Sequence, residues 1–436
     1  MGKILLFLIL FFTIIFSLLE PYIGVGAYYL LAILGPQYIW WWIFGTMRVS
    51  FIVGVVSFLS IVLRLFQGRC DLSFFKTKMN LFVFFLWICL AISYFWGPYV
   101  DNPAHKTASP NLVFINSMKI FFFYLFSTLV IDSPKKLKFL SIIFVFSIIY
   151  LTYWANIQYF HQNWSQFNMG RLHGPRSIYG TSIYHDENTF AMLFVSGIPF
   201  LLVFPLLFKN IFNKFWKKLL FWTSVPFSVH AIFLTGSRGG LLGIVAILLI
   251  SLLFSKRKFI MILLLPFFLF FYQWQAGSIM KERSDTITEY KHEGSAEQRL
   301  KAWKGGLRMI MKYPFTGVGL ASFITALPDF YPTSPRVAHN TFIQFTAESG
   351  VFAGLFYILI VITFFNNFRF IRNNVTKLKL PETHTISILN LSTFISFSGL
   401  IVCGLFLSLN FYEIFFFLSL LNNNMYVYVK NSILEN

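Results

Sequence analysis

The sequence predicts an all-α polytopic membrane protein with about 12 transmembrane helices (12 or 13) and one large extracytoplasmic loop. Three observations lead there. The 436 residues are 57% hydrophobic and only 12% charged, with mean hydropathy +0.69, whereas a soluble domain is about a quarter charged. Apolar runs of about 20 residues recur along the chain, each long enough to cross a bilayer core. The runs also lack the two-residue alternation of an outer-membrane barrel.

Residues 4–19 resemble a signal peptide, but no small-residue cleavage site follows, so they read as a retained helix. Ile4–Leu19 and Tyr22–Leu34 form two segments broken at Pro21. One of them re-entrant gives 12 spans, the preferred count; an external N-terminus gives 13. Trp40, Trp41 and Trp42 suit an interfacial aromatic belt. Further spans are expected near 49–66, 79–97, 111–131, 139–159, 190–208, 219–235, 239–255, 259–277, 345–368, 385–405 and 409–429. The chain divides into an N-terminal transmembrane bundle (1–277), a large polar loop (278–340) and C-terminal transmembrane helices (341–436).

The net charge is +19, which in a soluble chain would suggest a nucleic-acid partner. Here the cations gather in short loops at Arg64–Lys78, Lys135–Lys138, Lys209–Lys218, Lys256–Lys258 and Arg369–Lys379. These loops alternate with cation-poor or long ones, so the charge marks the cytoplasmic face. The partner is then the lipid bilayer, not nucleic acid. Cys70, Cys89 and Cys403 are scattered, with no metal-binding spacing.

The loop 278–340 is external in this arrangement. Residues 277–339 carry nine Lys or Arg and six Asp or Glu. Ser295-Ala-Glu-Gln298 reads as a capping box. The helix it opens runs to Tyr313, before Pro314, with Arg299, Trp303, Leu307 and Ile310 on one face. Gly305 and Gly306 weaken it and point to close packing or a nearby ligand. Gly317-Val-Gly319 makes a turn. Asn340 is placed to cap a second helix.

Several residues in or beside the external loops have both a plain and a chemical reading. Arg238, in LTGSRGGLL, is either an interfacial anchor or an anion ligand whose guanidinium fork matches phosphate oxygens. Gly236, Gly239 and Gly240 favour the ligand, since they leave room for a bulky substrate. His339 is a surface histidine or a general base, for which a neutral imidazole is suited. His185, Asp186 and Glu187 are either the polar entrance of a helix or a weak metal or substrate site. No DxD, Walker A, Rossmann or nucleophile-elbow motif occurs, which argues against nucleotide chemistry.

Two motifs then coincide. Arg238-Gly-Gly-Leu-Leu242 resembles the R-x3-L signature of the O-antigen ligase and polymerase superfamily. His339-Asn340, nine residues and Gly350 resemble its H-[NSQ]-x9-G-x-x-G, although the last glycine is Ala353 here, with Gly354 next. The stretch from Arg299 through Trp303 to Pro314 and Gly317-Val-Gly319 is similar to the family's external loop. The segment PYIGVGAYYLLAILGPQYIWWW resembles the exosortase-associated O-glycosylation ligases. The resemblance is best over 180–355. It implies a metal-independent, inverting glycosyltransferase of the bacterial inner membrane, multi-pass, with its active site facing the periplasm. The donor would be a glycan on undecaprenyl diphosphate. The preferred reading is a ligase, with lipid A-core as acceptor; the alternatives are a polymerase, with another glycan unit as acceptor, or an O-oligosaccharyltransferase, with a protein hydroxyl.

On this reading His339 takes the acceptor proton, and Arg238 and Arg299 bind the diphosphate. Asn340, Glu187 and His185 complete the substrate site, with no cofactor and no metal. A transporter or flippase of lipid-linked sugars is the other class. It would place ionisable residues at mid-membrane and show internal repeats, and neither is evident.

Overall fold

A computed structural model describes residues 2–102, 109–178, 180–182, 184, 186–254, 294–377, 382–408 and 411–435. The chain opens with α1 (Gly2–Leu19), α2 (Pro21–Leu34) and two single turns, α3 (Pro36–Ile39) and α4 (Trp41–Phe44). Then follow α5 (Val49–Phe66), α6 (Lys78–Trp96), α7 (Pro110–Ser127) and α8 (Pro134–Phe160). After two small hairpins come α9 (Glu187–Leu207), α10 (Phe215–Trp222), α11 (Ser224–Thr235) and α12 (Arg238–Phe254). The last part of the chain holds α13 (Gly294–Lys312), α14 (Phe323–Phe330), α15 (Thr341–Asn374), α16 (Thr383–Gly404) and α17 (Glu413–Leu434).

Local chemistry sets many of these boundaries. Proline occupies the first turn of α2, α7 and α8, where its missing N–H has no helical partner to lose. Thr77 caps α6 by accepting from Asn80 N at 3.2 Å, and Ser109 caps α7 by accepting from Leu112 N at 3.3 Å. Gly236 ends α11 in the left-handed region at φ 61°.

Seven helical stretches among the described residues are long and apolar enough to cross a membrane: α5, α6, α8, α9, α10 with α11, α15 and α16. The protein is therefore multi-pass. The remaining sites of expected crossings at α1, α2, α7, α12 and α17 are helical but shorter or more polar. The expected span 259–277 lies outside the described residues, as does the loop as far as residue 293. The all-α fold also holds a small non-helical part. Between α8 and α9 the chain forms two antiparallel hairpins, β1 (Phe167–Asn168) with β2 (Arg171–Leu172), and β3 (Arg176–Ser177) with β4 (Gly180–Thr181). Met169 and Gly170 both have positive φ, as a two-residue turn matched to strand twist requires.

Helices from before and after the polar loop share one core. α9 lies at its centre, with 78% of its apolar window buried, against 33% for α5 and α15; the balance of those two faces lipid. Ser396 Oγ on α16 donates to Ser196 O on α9 at 2.7 Å. Asn424 Nδ2 on α17 donates to Thr128 O and Ile131 O at 2.8 and 2.9 Å. Such side-chain bonds join helices where lipid offers no hydrophobic drive for association.

The polar loop docks through a break in α15. Gly350 has φ 84° and ψ 171°, so the helix is two pieces, 341–349 and 351–374. The break frees carbonyls that the loop uses. Val318 N donates to Ala347 O at 2.9 Å, Gly319 N to Glu348 O at 3.0 Å, and Val351 N to Pro314 O at 2.7 Å. A Cβ on Gly317 would stand 2.2 Å from Glu348 O, and one on Gly350 would stand 2.2 Å from Phe315 O. Only glycine fits either position. Gly354, beside Ala353, takes the close approach one turn on, 2.2 Å from Thr346 Oγ1 by the same measure.

Candidate active site

α13 is described from Gly294, one residue before the expected capping box, to Lys312 before Pro314. Its buried face is Ala302, Gly305, Gly306 and Met309. The face shared by Arg299, Trp303, Leu307 and Ile310 is a different one, and Leu307 on it is 53% exposed. Gly305 and Gly306 serve packing: added Cβ atoms would meet Leu327 Cδ1 at 2.3 Å and Ile343 Cγ2 at 2.8 Å. Trp303 lies beside the buried face, and its Nε1 donates to Ala338 O at 2.7 Å. That bond ties α13 to the residue before His339.

The His339 segment is held from both sides. Ala338 N donates to Gln344 Oε1 at 2.8 Å, and Gln344 Nε2 donates to Glu348 Oε1 at 2.7 Å. Asn340 caps α15 as expected, accepting from Ile343 N at 3.0 Å, while its Nδ2 donates to Leu405 O at 3.2 Å. Thr341 Oγ1 donates to Leu407 O at 2.7 Å. The amide of Asn340 is thus used to position its neighbour rather than held out for a substrate. Between these anchors His339 adopts φ 50°. That left-handed conformation is uncommon for a residue with a side chain and costs of order 1–3 kcal/mol.

The half-buried ring of His339 sits in a positive field. Its pKa is pushed down to about 4, first by burial and then by the charges of Arg299 and Arg336, with Glu187 opposing them. The ring is therefore neutral at pH 7. The same interactions place Arg299, Arg336, His339 and Glu187 in one neighbourhood. Glu187 begins α9, and Asp186 caps that helix by accepting from Asn188 N at 2.6 Å. The polar helix entrance expected here is thus present. Arg171 on β2 donates to the Glu187 carboxylate, and His173 Nε2 lies 3.6 Å from it. His185 lies outside the described residues.

Arg238 is the first residue of α12. Ser237 Oγ accepts from Gly240 N at 3.0 Å and donates to Asn188 Oδ1 at 2.7 Å, which ties this turn to the residue after Glu187. A Cβ on Gly239 would lie 3.5 Å from Leu407 Cδ1, and Leu407 O is the acceptor for Thr341. The loop 405–407 therefore contacts both the Arg238 turn and the His339 segment. The glycines here serve packing and turning more than open space. Gly236 carries the positive φ, and a Cβ on Gly240 would stand 2.7 Å from Ala191 Cβ. A cation in the first turn of a helix is disfavoured by the helix dipole, so Arg238 is not there for the stability of α12.

Sequence reading gave Arg336, Arg171 and His173 no role in the site. The last two flank buried Leu172 and so share a strand face, a signal only three residues long. Among the described residues, no three His, Cys, Asp or Glu side chains gather as metal ligands would.

The arrangement defines a multi-pass membrane protein with arginines grouped around a neutral histidine at the helix ends. Residues 220–358 match the O-antigen ligase family, which supports the resemblance to that superfamily seen in the motifs. Residues 1–160 match a family of unknown function (DUF5935). No curated protein matches the chain.

Proposed function

We propose that the protein is a glycosyltransferase of the bacterial inner membrane, with its site on the periplasmic side. It moves a glycan from undecaprenyl diphosphate to an acceptor hydroxyl. The observation that carries this reading is the setting of His339: an imidazole unprotonated at neutral pH, held beside Arg299 and Arg336. In the reaction the imidazole takes the hydroxyl proton, the acceptor oxygen bonds to the anomeric carbon, and the bond from that carbon to the lipid diphosphate breaks with inversion. Charge grows on the departing diphosphate, where Arg238 and Arg299 stabilise it. Binding of the anionic donor offsets the arginine field and raises the basicity of His339, bringing the base nearer the operating pH. Ligase, polymerase and O-oligosaccharyl transfer share this chemistry and differ in the acceptor. A transporter reading is less supported, because the charged cluster lies at helix ends and in the polar loop.

The test is to measure binding of a lipid diphosphate analogue alongside turnover for Arg238→Ala, Arg299→Ala and His339→Ala. The arginine variants lose both. His339→Ala binds the analogue normally and loses turnover by ~10²–10⁴, the usual worth of a general base. Wild-type turnover in His339→Ala sinks the general-base role. Loss of analogue binding in that variant moves His339 into the diphosphate site.

A further inference from the structure

We infer that α13 lies in the outer surface of the bilayer, its exposed apolar stripe among the lipid headgroups and upper acyl chains. The stripe is Leu300, Leu307 and Met311, 45, 53 and 74% exposed. At 100° per residue these fall within about 40° of one another, opposite the buried face at Gly305 and Met309. Lys304, Arg308 and Lys312 flank the stripe on one side and are exposed. Arg299 and Trp303 flank it on the other, toward His339. An apolar stripe bordered by cations is the pattern of a helix lying along an interface.

Two observations select lipid as the occupant. First, the stripe continues into a surface that faces lipid. Phe315, just past α13 and 68% exposed, stacks on Phe352 with ring centroids 6.2 Å apart. Phe352 leads the exposed row of Leu355, Ile358 and Ile362 along the membrane-crossing piece of α15. Second, the depth is marked from the neighbouring helix. α6 ends in exposed Phe95 and Trp96, the aromatic type found at membrane boundaries. Tyr99 N, just beyond, donates to Val318 O at 2.9 Å, three residues after Phe315. The aromatic end of α6 and the C-terminal end of α13 therefore lie at the same level. Lys304 is complementary to headgroup phosphates, whereas Arg308 donates to Phe330 O at 2.9 Å and Lys312 lies over the rings of Tyr313 and Phe330. This seating puts Arg299 at headgroup depth, where a membrane-bound diphosphate would reach it. That consequence rests on the proposed reading of the site, whereas the seating itself does not.

The test uses the full chain in vesicles of phosphatidylethanolamine and phosphatidylglycerol, with Cys70, Cys89 and Cys403 replaced by alanine. Nitroxides are attached at Leu307→Cys, Met311→Cys and, as an aqueous reference, Ser334→Cys. The ratio of oxygen to nickel-chelate accessibility is expected to be several-fold higher at the two α13 positions. Accessibility equal to that at Ser334 overturns the proposal. Spin–spin broadening at Leu307 and Met311, showing a second copy on the stripe, also overturns it. Unaltered protein in the same vesicles, photolabelled by a bilayer-confined carbene precursor, gives an independent check: label on 300–315 supports the seating, and label on α15 without α13 rejects it. None of these readouts needs turnover, so a failed transferase assignment is distinguished from a failed seating.

Discussion

The indole nitrogen of Trp303 donates to the carbonyl oxygen of Ala338 at 2.7 Å. The bond joins a helix of the polar loop to the residue before His339. It fixes the backbone whose left-handed turn presents the imidazole. Trp303→Phe keeps an aromatic ring and removes the donor, leaving a carbonyl without that partner. A bond of this kind contributes about 0.5–1.5 kcal/mol. We expect turnover to fall by roughly 2–10-fold, with analogue binding nearly unchanged. Unchanged turnover would show that the bond does not position His339.

The free enzyme should show little acid limb at ordinary pH. Above about 4 the His339 ring stays neutral, so kcat/KM with respect to that group is flat from neutral pH downwards until that value is approached. Arg336→Gln removes one cause of the low pKa and leaves the proposed diphosphate ligands in place, so the limb should move upward. An acid limb near 6.5 in the unaltered protein would contradict the arginine field. The same group links stability to pH. Its folded pKa lies below the ordinary 6.5, so between the two values the unfolded chain binds a proton that the folded chain refuses. The contribution is complete above 6.5 and is lost as pH falls toward about 4.

Gly350→Ala should lower the apparent thermal midpoint in detergent and abolish transfer. The new Cβ meets Phe315 O at 2.2 Å while the backbone sits at φ 84°. The conformation alone costs about 1–3 kcal/mol for a residue with a side chain. Gly68→Ala is the reference for a positive-φ site without a clash, since Gly68 has φ 68° and nothing within 4 Å of its Cβ position. If the two variants lose stability equally, the loop does not dock closely on α15.

Transfer by purified protein should survive EDTA. Asp186 is occupied in capping α9, and Glu187 is engaged by Arg171. Arginine rather than a divalent ion is proposed at the diphosphate. Activity lost on chelation and restored by magnesium or manganese would falsify this and promote those carboxylates to metal ligands.

Much of the scaffold was legible in the sequence, because a membrane span is written in about 20 consecutive apolar residues. α5 runs Val49–Phe66, the expected bounds, and the motif histidine and both arginines stand at helix ends or on the loop helix. What escaped has particular causes. The break at Gly350 interrupts an apolar pattern that continues on both sides, and hydropathy is blind to one dihedral. The covered side of α13 was not legible, because the helix carries apolar residues on two faces and periodicity alone does not say which is covered. Strands of two residues are too short to show alternation, so Arg171 and His173 were given no role in the site. Arg336 stands only three residues before His339, but in an unpatterned stretch where periodicity does not tell which way a side chain turns.

The break at Gly350 also says how the loop is held to the bundle. Ala347 O and Glu348 O, before the break, accept from the polar loop, and Val351 N, after it, donates to Pro314 O. The loop thus clasps α15 on both sides of Gly350, like a buckle closed around a strap. His339, just ahead of the first piece of α15, takes its place from that clasp.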